Sequence, residues 1–501
     1  MPARAIGGTS EATPLNALAD LLSRHSRFAK ATAVVLAGLA WVLMIRPQVD
    51  PDFWWHLRVA EYVREVGDVP RTDFLSWMAM GEPWIAHSWL HDLTMLAAYS
   101  FGGLSGVGIL GAVLAAAVVV LAYRMFMVAL PASTPVICTI GTLAVAFIGG
   151  PVWSPRAQVW DVVFLLVAVI GWLTYRATGG RAWLVAMVPL GAAWSALHGS
   201  GIGAYVASAL ALAVVVAFGW LPGGRSRTVL AALVVATVLA MFVGPYGFGM
   251  LTYPFETIFS PVQARLIDEW AAPDLGDVRF IGFRVALVVL PVLLLLGRRF
   301  PDPLVGLLAL GWGWLALGSA RYLALAAPLI VAAALPSLDA LRVRFLRNRP
   351  TPARSPSVAA AVLLLVPVLV LVAWSRISPS ASDTAVSERY PEVATAALVE
   401  HRCAGRIWNL YDWGGYIGYQ WREPVGAYGA ADSLGDKRLE AYAAEADGGE
   451  AFRDALERDG IQLAVVEPSG KVAKELQALA DWKRLAGDHV GELWARSGRC
   501  E

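Results

Sequence analysis

The chain has 501 residues, of which 57% are hydrophobic and only 16% are charged, and its mean hydropathy is +0.57. Soluble domains carry about 25% charged residues, so the composition excludes an ordinary soluble protein and predicts a polytopic membrane protein. The net charge of +1 excludes the basic surface that binding to nucleic acid requires.

Residues 1–29 are basic and contain no small-residue cleavage site behind a short apolar core. We interpret them as a cytoplasmic tail before a retained helix and not as a cleaved signal peptide. Apolar runs of about 17–25 residues are candidate membrane helices, and about eleven follow the tail. In chain order they are 30–46, 104–123, 135–149, 157–175, 183–197, 200–221, 227–244, 279–297, 303–318, 320–336 and 357–374. The shorter stretch 89–102 predicts an interfacial or half-buried helix.

The turns between these runs alternate in charge, which predicts the side of the membrane on which each turn lies. With the tail inside, each turn predicted to be cytoplasmic carries arginine. These residues are Arg124, Arg176, Arg181, Arg225, Arg227, Arg298, Arg299, Arg342, Arg344, Arg347, Arg349 and Arg354. The outside segments, above all the long loops 48–103 and 245–278, hold nearly all the carboxylates and histidines of the membrane domain 30–375. Eleven crossings then place residues 376–501 outside.

Residues 376–501 have the composition of a small soluble α/β domain. "IQLAVVEP" at 461–468 predicts a buried strand, whereas "EAFRDALERDG" and "KVAKELQALADW" predict helices. "RIWNLYDWGGYIGYQW" predicts a strand followed by a Gly-Gly turn. Cys403 and Cys500 bracket the domain, and an oxidising compartment would permit a disulfide between them.

The first outside loop begins with an Asp-Pro-Asp sequence directly after the first apolar run. Because proline is rigid, Asp50 and Asp52 on either side of Pro51 could present two carboxylates to one reacting group or to one divalent cation, such as Mg²⁺ or Mn²⁺. The alternative is a solvated loop, since charges that face water at a membrane boundary cost little. The position of the sequence favours a functional role.

The rest of this loop predicts surface structure. Trp54 and Trp55 are expected to anchor the segment at the membrane interface. The apolar spacing from Leu57 onward predicts an amphipathic helix that lies on the surface. His56 and His87 are candidate substrate-binding residues in this loop.

"GEPWIAHSWLHDL" leads the loop back to the membrane. His87 and His91 are four residues apart and would share one face of a helix, but no HExxH pattern supports a zinc site.

Other ionisable groups are predicted at the same side, where such groups near the membrane are functional candidates. Arg156, Glu269 and Arg321 are candidate substrate-binding residues. The alternatives are a solvated loop acid for Glu269 and a snorkelling interfacial arginine for Arg321. Asp161 is either functional or paired with Arg156, and His198 is expected to be a satisfied interfacial histidine.

These segments together resemble a known superfamily. "DPDFWWHLRVAEYVREVGDVPRTDFLSW", "GEPWIAHSWL", "GPYGFGMLTYP", "DEWAAPD" and "YDWGGYIGYQW" are similar to sequences of a bacterial family of multi-pass proteins within the GT-C superfamily of membrane glycosyltransferases. The resemblance implies an enzyme of the bacterial inner membrane that moves a sugar from a polyprenyl-phosphate donor to an outside acceptor, which is a glycan, a lipid or a protein. It also implies that Asp52 is a catalytic base or metal ligand, with Asp50 as its partner.

The catalytic subunit of oligosaccharyltransferase is a more distant resemblance. Its soluble domain opens with a WWDYG motif, and the nearest match here is "LYDWGG", which contains Tyr411 and Asp412. The resemblance makes Asp412 a candidate substrate-binding residue, but Tyr411 replaces the first tryptophan and the motif is degraded. This departure argues against a peptide acceptor. The alternative is a packing turn in which the glycine pair permits positive φ.

Two other functions are compatible with this pattern. A transporter or flippase for a lipid-linked saccharide would also use ionisable groups within a helical bundle, but alternating access usually places them near the bilayer midplane and not at one face. A non-catalytic assembly protein would tolerate the loss of Asp50 and Asp52. No P-loop or dinucleotide fingerprint is present. We therefore expect a glycosyltransferase.

Overall fold

The computed structural model describes residues 50–130, 135–258, 260–346 and 370–500. The predicted tail 1–29, the predicted span 30–46 and most of the predicted span 357–374 lie outside the described residues. In the membrane half the helices are α1 Asp52–Val66, α2 Trp89–Ala129, α3 Pro135–Gly149, α4 Gln158–Thr178, α5 Ala182–Leu197, α6 Gly201–Ala217, α7 Arg227–Ala240, α8 Gly249–Ile258, α9 Pro261–Leu266, α10 Ile281–Gly297, α11 Pro303–Gly318 and α12 Leu323–Leu346.

The C-terminal part mixes helices with a small sheet. Its elements are α13 Pro379–Ser387, α14 Glu392–Glu400, β1 Arg406–Asn409, α15 Tyr411–Trp421, α16 Ala431–Ala446, α17 Gly449–Arg458, β2 Ile461–Val466, α18 Lys471–Ala478, β3 Trp482–Gly487 and β4 Glu492–Arg496. The strand order is β1-β2-β4-β3. β1 pairs parallel with β2, whereas β4 pairs antiparallel with both β2 and β3. The predicted strand at 461–468 is thus the buried β2, and a disulfide joins Cys403 to Cys500.

Four helices in the described residues are long and apolar enough to cross a membrane. They are Trp89–Ala129, Gln158–Thr178, Val278–Gly297 and Ala320–Phe345. Five further apolar helices have 10–17 residues, so the described part of the chain does not confirm the predicted eleven spans. Hydropathy counts apolar residues whether or not they are helical. The predicted span 200–221, for example, ends as helix α6 at Ala217, before a turn at Gly219 with φ +85°.

The long helices form one bundle with apolar surface on its outside. α12 packs against α3, α10 and α11, and α4 packs against α2 and α5. The core contains large buried side chains such as Trp172 and Trp194. Leu295 of α10 and Trp314 of α11 are 73% and 76% exposed. They are two of many large apolar side chains that are exposed on the outside of the bundle. An apolar surface of this extent faces lipid and not water, so the protein is an integral membrane protein.

The first outside loop differs in part from its prediction. The amphipathic helix is present as α1, and its apolar residues Leu57 and Ala60 are buried. Trp54 and Trp55 do not face a membrane interface, because both are less than 5% exposed. The ring of Trp54 packs edge-on against Tyr390 and Tyr416, because the C-terminal part covers this face of α1.

Two further local predictions are corrected. His87 precedes α2, whose first residue is Trp89, so His87 and His91 do not share a helix face. The predicted Gly-Gly turn is absent because Gly414 and Gly415 lie inside α15 without positive φ. A Cβ atom on Gly415 would lie 2.9 Å from the carbonyl oxygen of Pro51. This glycine therefore permits close helix packing and not a turn.

Candidate active site

The Asp-Pro-Asp sequence forms the start of α1. Pro51 is the N-cap residue and Asp52 is the first helical residue. The Asp50 carboxylate accepts a hydrogen bond from the backbone N–H of Asp52 at 3.1 Å, and Oδ1 of Asp52 accepts one from the Trp55 indole at 3.1 Å. Both carboxylates therefore lie at the positive end of the helix dipole, where negative groups are stabilised.

Arg156 connects this helix start to the second outside loop. It precedes α4 and forms ion pairs with Asp50 and Glu269, and its Nη1 lies 3.5 Å from Oδ2 of Asp52. Burial alone would raise the pKa of Asp50, but Arg156 holds that pKa below its usual value. Burial likewise disfavours a charged Arg156, but Asp50 and Asp52 raise its pKa above the usual range. Asp50 and Arg156 therefore form a charged pair, and the same guanidinium also contacts Asp52 and Glu269, so that three carboxylates share it.

Glu269 extends the cluster to a second arginine. Its carboxylate accepts a hydrogen bond from Nε2 of Gln158 at 3.1 Å and lies 3.9 Å from Nη1 of Arg321. The guanidinium of Arg321 is 4.7 Å from the centre of the Trp270 ring. The 3.9 Å separation is too long for a hydrogen bond, so Arg321 is less neutralised than Arg156.

Two cavities meet at this cluster. The larger, of about 680 Å³ and here called the polar cavity, has several charged residues in its lining, which include Asp50, Arg156, Glu269, Asp274, Arg279 and Arg389. The smaller, of about 390 Å³, is apolar and is lined by residues that include Ile202, Ala207, Leu210, Leu251, Pro254 and Trp312. Gln158 and Arg321 line both cavities. A ligand with a charged part and a hydrocarbon part could therefore occupy both.

Asp52 lies beside the polar cavity and not in its lining, whereas Asp50 lines it directly. The Asp52 side chain is 22% exposed. The C-terminal part approaches it at Gly429, where an added Cβ atom would overlap Oδ1 of Asp52, and the negative charge of Asp52 adds to burial in raising the pKa of Tyr411. Asp52 is therefore located between the cavity and the C-terminal part.

The remaining predicted residues lie around this cluster and outside the lining of both cavities. His56 is buried, and its Nδ1 lies 2.7 Å from Oδ1 of Asp92. His87 stacks on Tyr253, and burial lowers the pKa of His87. Asp412 is exposed and its Oδ2 lies 3.6 Å from Nη2 of Arg389.

The deep acid Asp161 does not pair with Arg156, contrary to the structural alternative considered for it. Its carboxylate lies 2.7 Å from Nδ1 of His198 and accepts a hydrogen bond from the Trp194 indole at 2.7 Å. His198 is 1% exposed and is satisfied by this pair, as expected. Both residues line the apolar cavity. Sequence spacing favoured Arg156 because it is one turn and a half away, but its guanidinium is already shared by three other carboxylates.

Sequence reasoning missed three residues of the site. Gln158 lines both cavities, Trp270 lies beneath Arg321, and Arg389 brings the C-terminal part to the polar cavity. Gln158 is a polar residue at the start of an apolar run and Trp270 follows Glu269, so both carried a sequence signal. Arg389 carried none, because its place depends on how the two parts of the chain pack.

The metal prediction for Asp50 and Asp52 stays a prediction. Arg156 contacts both carboxylates, and a divalent cation would have to displace it. Across residues 50–130, 135–258, 260–346 and 370–500, no group of three or more histidine, cysteine, aspartate or glutamate side chains is arranged to hold a metal ion.

Comparison with known proteins places this geometry on a known fold. No protein-family model and no curated protein matches the sequence. The archaeal oligosaccharyltransferase AglB from Archaeoglobus fulgidus, solved with an inhibitory peptide and a dolichol-phosphate, matches 89% of this chain and 70% of its own with a TM-score of 0.54 and 13% identity. ArnT from Cupriavidus metallidurans, solved with undecaprenyl phosphate, matches 93% of this chain and 97% of its own with a TM-score of 0.51 and 15% identity. Both are GT-C glycosyltransferases, and this chain has a distant GT-C-like fold.

Proposed function

We propose that the protein is a membrane glycosyltransferase that moves a sugar from a polyprenyl-phosphate donor to an acceptor hydroxyl. The observation that carries the proposal is the meeting of a polar and an apolar cavity at Gln158 and Arg321, beside the cluster of Asp50, Asp52 and Arg156. AglB and ArnT were solved with dolichol-phosphate and undecaprenyl phosphate, which supports a lipid phosphate as the donor.

The donor fits the two cavities in one orientation. The apolar cavity takes the first isoprene units of the carrier, and the polar cavity takes the sugar. The phosphate then lies at the boundary, next to Arg321. Arg321 is suited to this role because its nearest carboxylate oxygen among the described residues is 3.9 Å away, whereas Arg156 is already shared by three carboxylates. A fixed positive charge at a leaving phosphate stabilises the transition state.

Asp52 is the better base of the two aspartates. Asp50 is ion-paired with Arg156, which lowers its pKa and weakens it as a proton acceptor. Asp52 has only a 3.5 Å contact with the same guanidinium and remains partly exposed. The acceptor hydroxyl gives its proton to Asp52 while its oxygen bonds to the anomeric carbon. The bond from that carbon to the phosphate oxygen breaks, and the polyprenyl phosphate leaves with the bonding electrons.

The rest of the proposal follows the predicted topology. The N-terminus is cytoplasmic, and the cluster and the C-terminal part lie on the outer side of a bacterial inner membrane. The acceptor is an outside glycan, lipid or protein.

A reconstituted assay tests the proposal. The full chain in proteoliposomes is supplied with radiolabelled undecaprenyl-phosphate hexoses and envelope extract as acceptor, and loss of label from the lipid is measured. We expect Asp52→Asn to lower turnover by roughly 10²–10⁴-fold, the usual contribution of a general base. Asp302→Asn, at the opposite end of the bundle, is the matched control and should retain activity.

Three outcomes would contradict the assignment. Full activity of Asp52→Asn would show that Asp52 is not the base. Loss of activity in Asp50→Asn but not in Asp52→Asn would exchange the two roles. Movement of the labelled lipid across the bilayer with its sugar intact would instead identify a flippase.

A further inference from the structure

A segment of the C-terminal part, residues 426–433, lies across the start of α1. Side chains of the first outside loop hold it at several points. The Ser76 hydroxyl donates to the carbonyl oxygen of Gly426, and the Asp73 carboxylate accepts from the hydroxyl of Tyr428 at 2.7 Å. The indole of Trp84 donates to Asp432 at 3.2 Å. The segment is therefore fixed relative to the carboxylates at the start of α1.

Gly429 lies at the point of closest approach between this segment and Asp52. A Cβ atom on Gly429 would overlap Oδ1 of Asp52 and would lie 2.7 Å from Nε1 of Trp55 and 3.1 Å from Cγ of Asp52. Oδ1 and Nε1 are the two atoms of the hydrogen bond that orients the carboxylate. Even one methyl group at this position would displace that pair.

The backbone of Gly429 does not itself require glycine. Its φ lies outside the left-handed region, unlike that of Gly435 in the same part of the chain, which has φ +70°. The atom that a methyl group would meet first is the end of an aspartate side chain, which can move by rotating. The indole of Trp55 is buried and packed, so it can move less than the carboxylate. An alanine would therefore shift the carboxylate first, at some cost in stability.

We propose that Gly429 is a positioning residue for Asp52, so that the C-terminal part sets the geometry of the base in the membrane half. This inference rests on the proposed role of Asp52. Misplacement of a reacting group by about 1 Å can cost about 10²-fold in rate. The apolar cavity and Arg321 are formed by other segments, so donor binding is independent of Gly429.

The experiment compares Gly429→Ala with Gly418→Ala in the same proteoliposome assay. Gly418 lies in α15, where a Cβ atom would meet Val425 at an ordinary 3.4 Å. We expect Gly429→Ala to lower kcat by about 10²-fold, with the donor KM unchanged and a cooperative thermal unfolding transition retained. Gly418→Ala should retain wild-type kcat.

A double variant separates positioning from a general structural effect. If Gly429 acts through Asp52, adding Gly429→Ala to Asp52→Asn lowers kcat no further, because the base is already absent. Wild-type kcat in Gly429→Ala, or a further loss in the double variant equal to that in the single one, would overturn the inference. A wild-type protein without transfer activity, or an active Asp52→Asn, would instead overturn the proposed function.

Discussion

The two ends of the helical bundle use the same kinds of residue for different purposes. At one end, Asp302 caps α11 through the backbone N–H of Leu304 and also binds Nη1 of Arg176 at 2.8 Å and the indole of Trp220 at 3.0 Å. At the other end, Arg156 is shared by three carboxylates and Arg321 lies 3.9 Å from one of them, next to two cavities.

The difference shows how a structural ion pair can be told from a functional one. Around Asp302 the hydrogen bonds of the carboxylate are satisfied by Arg176 of α4, by Trp220 and by the backbone of α11, so the group holds the bundle together. Around Arg321 a cation lies beside a cavity with its charge incompletely neutralised. Such an arrangement is costly unless a ligand completes it.

Among the changes that separate the two ends of the bundle, loss of the incompletely neutralised cation should have the largest effect. We expect Arg321→Ala to lower turnover by roughly 10²–10³-fold, because the leaving phosphate loses its fixed positive charge. The measurement is release of label from undecaprenyl-phosphate hexose in proteoliposomes. Arg176→Ala, which removes an arginine from the other end, is the control. Equal activity of the two variants would contradict the distinction between a functional arginine at one end and a structural arginine at the other.

The disulfide should stabilise the C-terminal part, which packs against the active-site end. Cys403 and Cys500 are 97 residues apart, and a disulfide that closes a loop of this size stabilises by about 2–5 kcal/mol. We expect Cys403→Ser to lower the unfolding temperature of the C-terminal part and to remove its sensitivity to reductant. Limited proteolysis over a series of temperatures, with and without reductant, measures both effects. Cys138→Ala, in the membrane half, should keep the reductant sensitivity of the wild type.

The contact between Asp432 and the first outside loop should depend on pH. Burial raises the pKa of Asp432 to about 6, whereas a free aspartate has a pKa of about 3.9. The folded chain therefore binds the proton more tightly, so the charged carboxylate costs stability above pH 6 and the cost disappears as the pH falls toward 4. The difference between the two pKa values limits this loss of folding stability to about 3 kcal/mol at most.

Asp432→Asn removes this titration while keeping an acceptor for the indole of Trp84. Its apparent Tm should exceed that of the wild type at pH 8 and match it at pH 4, as measured by thermal unfolding in detergent. A Tm difference that is constant from pH 4 to pH 8 would show that Asp432 does not titrate in this range.

The smallest effect is expected at the structural end. Arg176 is 37% exposed, so its ion pair with Asp302 is partly screened. Arg176→Ala should lower the free energy of unfolding by about 1 kcal/mol, with transfer activity unchanged. Thermal unfolding and the transfer assay together test this. A loss of activity without a loss of stability would contradict the structural role of this end.

Much of the site was predictable from the sequence because the predicted groups lie in or next to loops at the same end of the bundle. Asp50, Arg156, Glu269 and Arg321 come from four separate segments and form one cluster, as the alternation of charge suggested. The partner of Asp161 was not predictable. His198 is 37 residues away, and only the packing of α4 against α5 brings the two side chains together.

The number of membrane helices also could not be predicted from the sequence. An apolar run does not record where a helix ends, and α6 ends at Ala217 inside a run that continues to 221. Trp54 and Trp55 show the same limit, since an indole prefers both a membrane interface and a protein core. Which of the two it occupies depends on the surface that packs against it.

The sequence by itself determined that the chain enters a membrane, that arginine-rich and acidic segments alternate between its apolar runs, and that an Asp-Pro-Asp sequence follows the first of these runs. These properties depend on composition and order along the chain. Only the tertiary structure decided that Arg156 bridges the aspartates, that Gly429 lies against Asp52, and that a polar and an apolar cavity share Gln158 and Arg321. Each of these depends on distances between residues far apart in the chain, which are fixed by packing.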